Sequence, residues 1–180
     1  MTLSELLADV VRRLEDAHIA YMVTGSVASA FHGEPRATRD LDIVIDPGTE
    51  TLAALVEGLL AAGFYVGRDA AFIALRERTQ FNALGPDATK VDFILRKDRP
   101  FSREEFERRR PADLLGTPAF IASVEDMIIA KLEWSVPFDS DRQLRDVASM
   151  LAVSRDAVDR GYIDRWVRAL GLEEAWRRVA

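Results

Sequence analysis

Three aspartates carry the chemistry that this sequence offers. Asp40 and Asp42 stand in DLDIVID (40–46), which reads as a strand with acidic ends. Side chains two apart on a strand share a face, so the two carboxylates project to one side while Leu41 and Ile43 go to the other. Carboxylates that close repel, and ionising both takes a cation between them. Mg²⁺ is the natural candidate, because it is a hard ion that favours carboxylate oxygens and keeps water or phosphate as its other ligands. Asp92 lies mid-strand in KVDFILR (90–96), among Val91, Phe93 and Leu95. A carboxylate there is costly to bury alone, and a metal or base role would explain it. Each feature also has a plainer reading. D-x-D at a strand end serves as a solvated pair of charges, and Asp92 can face solvent on an open side of a sheet.

Upstream, Thr24-Gly25-Ser26 marks the passage from a strand into a helix. Glycine lets a phosphate approach the backbone, the helix N-terminus supplies N–H donors, and Ser26 adds a hydroxyl; a strand–helix turn with a serine N-cap fits the same residues. Arg36 and Arg39 enter the D-x-D strand, either to meet phosphate or as solvated loop residues. Further on, Lys131 interrupts an otherwise apolar helix face one turn after Met127. A cation there needs an anion: a bound one, or Glu125 or Asp126 as ion-pair partner. Asp146 has Arg142 one turn earlier as an ordinary helix partner.

The elements that must position these residues follow from periodicity. Leu3, Leu6, Leu7, Val10, Val11 and Leu14 fall at helical spacing behind a cap at Thr2 or Ser4. Residues 19–25 read as a buried strand, 26–33 as a short helix closed by Gly33, and 49–63 as an amphipathic helix with Gly63 beyond its last turn. The pattern of 64–79 is ambiguous. QFNALG (80–85) and KVDFILR form two strands around a turn at Gly85-Pro86-Asp87. FSREEFERRR (101–110) reads as a helix opened by a capping box of Ser102 and Glu105, with its alternating charges solvated. From Ser123 onward the pattern is helical, with Ser140 and Gln143 capping the second of those helices and Trp134, Trp166 and Trp176 read as core. The expected class is α+β: a mixed-sheet core over 1–97, then a strand or linker and a C-terminal helical part over 98–180.

Read in order, a strand ending in Gly25-Ser26, a helix, a strand with Asp40 and Asp42, and a later strand with Asp92 resemble the polymerase-β-like nucleotidyltransferases. The resemblance covers roughly residues 19–96. It implies Gly25 and Ser26 at the β- and γ-phosphates of a nucleoside triphosphate such as ATP. It also implies Asp40 and Asp42 on metal, and Asp92 completing a second Mg²⁺ site and activating an acceptor hydroxyl. The segments SVEDMIIAKLEWS and DRQLRDVASML look like the minimal nucleotidyltransferases of abortive-infection and toxin–antitoxin systems. Carried over, Lys131 contacts the triphosphate and Asp146 orients Lys131 or the nucleotide; Arg39 is a candidate nucleotide contact by its place before the D-x-D strand alone. The implied partners are an NTP, an acceptor (tRNA, protein or small molecule) and a cognate antitoxin.

Composition narrows the alternatives. The formal net charge is −6, so no global positive field draws the chain to nucleic acid or membrane. This counts against reading SRDAVDRGYIDRWVRALG as a sequence-specific DNA-binding helix-turn-helix. There is no cysteine, which removes disulfides and thiolate sites, and His18 and His32 read as helix-end residues. Neither GK[ST] nor G-x-G-x-x-G occurs. No apolar run approaches the roughly 20 residues of a membrane helix, and the opening MTLSELLADVVRRLEDA gives no expectation of a secretory signal, so we expect a cytoplasmic protein. The reading in another class is a non-catalytic nucleotide-binding or protein-interaction domain that keeps the fold.

Overall fold

The computed structural model describes residues 1–35, 37–86, 89–137 and 140–179. They form two compact units, one of residues 1–27 and 37–121, the other of 28–36 and 122–180. The first unit is built on a seven-stranded sheet in the order β3-β4-β5-β2-β1-β7-β6. Its strands are β1 (Ala20–Thr24), β2 (Asp40–Asp46), β3 (Tyr65–Val66), β4 (Gln80–Leu84), β5 (Lys90–Leu95), β6 (Arg110–Leu114) and β7 (Thr117–Ile121). β2 runs parallel to β5 and antiparallel to β1, so the sheet is mixed, as its sequence class implies.

Alternation along the central strands separates the two faces. Leu41, Ile43 and Ile45 on β2 and Val91, Phe93 and Leu95 on β5 are wholly buried, and Phe81 stacks on Phe93 at 5.1 Å. Helix α1 (Leu3–Asp16) lies against β1, β2 and β7 and buries the stripe Leu6, Leu7, Val10, Val11 and Leu14. It begins at Thr2, whose side chain accepts from the Glu5 N–H while the Glu5 carboxylate accepts from the Thr2 N–H. Helix α3 (Thr49–Ala61) packs on α1 and on α4 (Arg68–Glu77). The short β3 and α4 fill the segment that periodicity left ambiguous.

Several details differ from the sequence reading. Helix α5 spans Pro100–Glu107, with Pro100 in its first turn and Arg99 as N-cap. Ser102 is therefore inside the helix, buried, and accepts from Arg99 Nε at 2.9 Å rather than capping. The helix also ends before the RRR run. Arg110 opens β6, while Arg109 lies over the rings of Phe106 and Phe120 instead of on a solvated helix face. β6 and β7 are joined by Leu115-Gly116, both at positive φ (55° and 82°), a type I′ arrangement. Residues 98–121, expected to go with the C-terminal part, thus belong to the first unit, whose sheet β6 and β7 extend.

The second unit contains α6 (Val124–Ser135), α7 (Asp141–Ser154), a 3-10 turn (Arg155–Ala157), α8 (Arg160–Leu170) and α9 (Glu173–Arg177). Helix α2 (Gly25–His32) opens in the first unit and ends in the second. Helix α6 packs against α7, α8 and α9. Its start is tied by the wholly buried Asp126, which accepts from Ser123 Oγ and from Tyr162 Oη, each at 2.5 Å. Glu125 accepts from the Asp159 N–H at 3.1 Å. Ser140 stands at the N-cap of α7 without a capping bond from its side chain, so the Ser140–Gln143 box is not formed. Trp166 is buried, whereas Trp134 is 52% exposed and is not a core residue.

Candidate active site

The strand register sets the aspartates side by side. Asp42 is directly opposite Asp92 in the parallel β2–β5 pair, and one pleat earlier Asp40 is opposite Lys90. Register extends the Asp42 row in both directions, to Thr24 on β1 and Asn82 on β4. Neighbouring strands lie about 4.8 Å apart, and register partners point to the same side, so Thr24, Asp42, Asp92 and Asn82 form a polar row on the face opposite Ile43 and Phe93. Asp40 is exposed at the start of its strand, while Asp42 and Asp92 are half-buried. The fourth acid of the region, Asp46, sits at the far end of β2 and is clasped by Arg78 Nη1 (3.0 Å) and Arg96 Nε (2.8 Å).

Gly25 and Ser26 meet this row at Asp42. Gly25 has φ +62°, a conformation that glycine adopts without penalty. It presses so closely on the Asp42 side chain that a Cβ would overlap the carboxylate. The Ser26 N–H, at the start of α2, donates to Asp42 Oδ2 at 3.3 Å. The positive end of the α2 dipole thus faces an acid on β2, the strand that pairs with β1.

Lys90 is the residue that motif reading passed over. Its Nζ lies 2.7 Å from Asp92 Oδ2. Lys90 and Asp92 are two apart on one strand and so share its face, and that spacing in KVDFILR was the available signal. The ammonium is held above the usual lysine value first by its hydrogen bond to Asp92. The charges of Asp92, Asp40 and Asp42 add to this against partial desolvation.

Among the described residues, no three His, Cys, Asp or Glu side chains stand close enough together, as oriented, to hold a metal ion. The donor chemistry nonetheless fits a hard divalent cation: three carboxylates on one face, two of them in direct register, with an ammonium already on one of them.

In the second unit, Lys131 and Asp146 come together. Lys131 is 7% exposed, and its Nζ lies 2.9 Å from Asp146 Oδ2. Asp146, on the next helix, provides the anion that Lys131 needs. Arg39 is exposed just before β2, and Arg36 lies outside the described residues, as does Asp87 of the 85–87 turn. His32 bonds through Nε2 to the Ala122 carbonyl at 2.8 Å.

No protein-family model and no curated protein matches the sequence. Solved structures do match. The solution structure of the antibiotic-resistance factor ANT(2'')-Ia is similar with a TM-score of 0.64 at 13% identity, over 97% of this chain and 94% of that one. The crystal structure of ANT(2'')-Ia in complex with adenylyl-2''-tobramycin gives 0.60 at 13% identity, over 98% of each chain. The lincosamide antibiotic adenylyltransferase LnuA, lincomycin-bound, gives 0.59 at 12% identity, over 85% of this chain and 98% of that one.

The fold is that of the nucleotidyltransferases.

Of the motif residues read from the sequence, Asp42 and Asp92 fall in the row Thr24–Asp42–Asp92–Asn82, with Asp40 in the neighbouring row. Among the described residues no helix is long and apolar enough to cross a membrane.

Proposed function

We propose that this protein transfers a nucleoside monophosphate from an NTP such as ATP to a hydroxyl acceptor. Asp40, Asp42 and Asp92 would hold Mg²⁺, and Gly25-Ser26 would receive the triphosphate. The observation that carries this reading is the direct register of Asp42 and Asp92 beside the Gly25-Ser26 start of α2. When bound, Mg²⁺ supplies neutralisation of phosphate charge and Lewis-acid polarisation, and in the two-ion form of this chemistry it serves both the attacking and the leaving oxygens.

The chain's own residues would do the rest. The first-turn N–H groups of α2 and the Ser26 hydroxyl orient the terminal phosphates, drawing on the helix dipole. Asp92, half-buried and next to the polar Asn82, accepts the proton of the acceptor hydroxyl. The departing group is pyrophosphate, so the α-phosphorus exchanges one oxygen bond for another and no covalent enzyme intermediate is required. The rate would then come from positioning and from charge placement ahead of the reaction. The nucleotide roles that the resemblance gives Lys131 and Asp146, and that its place before β2 gives Arg39, belong to this proposal, and nucleotide affinity in Lys131→Ala decides the first of them.

The three structures named above are similar over 85% or more of both chains, and two of them were solved with an antibiotic-derived compound or an antibiotic bound. That favours a small hydroxylated molecule over tRNA or protein as acceptor. Incubation with α-labelled NTPs, Mg²⁺ and separate pools of hydroxylated small molecules, tRNA and protein tests this. The proposal expects label in the small-molecule pool; label in tRNA or protein redirects the acceptor class, and a toxin role with a cognate antitoxin would then follow.

A further inference from the structure

The cation that Asp92 already has is part of the chain. Lys90 Nζ is 2.7 Å from Asp92 Oδ2, Asp40 is the register partner of Lys90, and Asp42 is the register partner of Asp92. These four side chains occupy two adjacent rows of one sheet face. The ammonium is therefore bounded by Asp92 along its own strand, by Asp40 across to β2, and by Asp42 on the diagonal. A half-exposed lysine with a solvated carboxylate nearby would gain little from such a contact. Here the Asp92 side chain is only 13% exposed, and an acid so placed favours a resident counter-charge.

We propose that Lys90 is a built-in counter-cation occupying the place of the second metal ion at Asp92, so that a divalent ion is held there only when Lys90 has swung away. The inference rests on the three-carboxylate reading above and specifies how that site takes up metal. Asp40 and Asp42, the latter also accepting from the Ser26 N–H, would hold the first ion, while the Asp92 oxygen needed by another is engaged by Lys90. Lys90 thereby keeps Asp92 from collecting a second ion before substrates arrive. The flexible four-carbon stem of lysine allows the ammonium to retract without moving the strand.

The test is a titration of the full chain with Mn²⁺, without nucleotide and at one fixed pH, counting bound ions by electron paramagnetic resonance. Lys90→Met and Lys90→Gln are compared with the parent, both because the lysine is partly exposed and because two replacements guard against a folding artefact. The parent should bind one ion. Both variants should show a second binding event at least tenfold tighter than any second event in the parent, and that event should vanish again in Lys90→Met/Asp92→Asn. A general loss of positive charge would tighten the first ion without adding a second. A second event equally tight in the parent, no second event in either variant, or one that survives Asp92→Asn would overturn the role of Lys90. If neither the parent nor the variants bind Mn²⁺ at all, the carboxylate site itself fails, and the proposal fails with it.

Discussion

Gly25 stands against Asp42 so closely that any side chain at position 25 would displace the carboxylate. This contact gives the glycine a role beyond the proposed access for phosphate: it shapes the carboxylate row proposed to hold metal. A Cβ in the left-handed region costs about 1–2 kcal/mol by itself, and overlap with Asp42 adds to this. Gly25→Ala should therefore lower unfolding free energy by at least that amount and weaken Mg²⁺–NTP binding. In an Asp42→Gly background the overlap part of the cost should be recovered, leaving only the backbone part. Denaturant unfolding of the four proteins checks this, and a Gly25→Ala protein as stable as the parent would remove the argument.

Asp42→Asn separates metal binding from folding. The amide keeps an oxygen to accept from the Ser26 N–H and removes one of the repelling charges, so stability without metal should change by no more than about 1 kcal/mol. The rise in melting temperature on adding Mg²⁺ and a non-hydrolysable NTP should disappear. Thermal melts with and without that mixture measure both.

Lys131→Ala bears on the helical unit. Lys131 and Asp146 are both largely shielded from water. Removing the cation leaves a shielded carboxylate short of its partner, at a cost of about 3 kcal/mol. Lys131→Met/Asp146→Leu should recover much of the loss. If Lys131 also serves the nucleotide, the double variant will be stable but bind NTP weakly, and a calorimetric titration of it distinguishes the two roles.

Much of the fold can be read from the sequence where local and long-range signals agree. The first four residues of DLDIVID and of KVDFILR alternate polar and apolar, and the face that buries Ile43 and Phe93 leaves the acids on the other side. The edge of the sheet was harder. β6 carries Pro111 and two charges, a composition suited only to an edge strand. Its turn places Leu115 rather than Asn or Gly in the left-handed region, so no hairpin signal announces it. β3 is two residues long and lies in register with Leu84 only through the tertiary fold. In the site, the carboxylates were legible because ordered acids on strands are uncommon. Lys90 was not, because its meaning depends on the register that sets Asp40 beside it. Lys131 required an anion, but which acid supplies it depends on how two helices pack, and helical spacing alone favoured Glu125 or Asp126 over Asp146.

The measurement that tests the central claim most directly is transfer of α-phosphate label from NTP to an acceptor by the parent, Asp42→Asn and Asp92→Asn proteins, run beside NTP binding by the same three. Asp92 is assigned mainly to the chemical step, so Asp92→Asn should retain most Mg²⁺–NTP affinity yet lose transfer by orders of magnitude, as expected for an interaction made in the transition state. Asp42→Asn should lose both. Parent protein that transfers label only with Mg²⁺, with this split between the variants, is the predicted result. Undiminished transfer by Asp92→Asn, or a parent that binds Mg²⁺–NTP and labels nothing in any pool, would contradict the account.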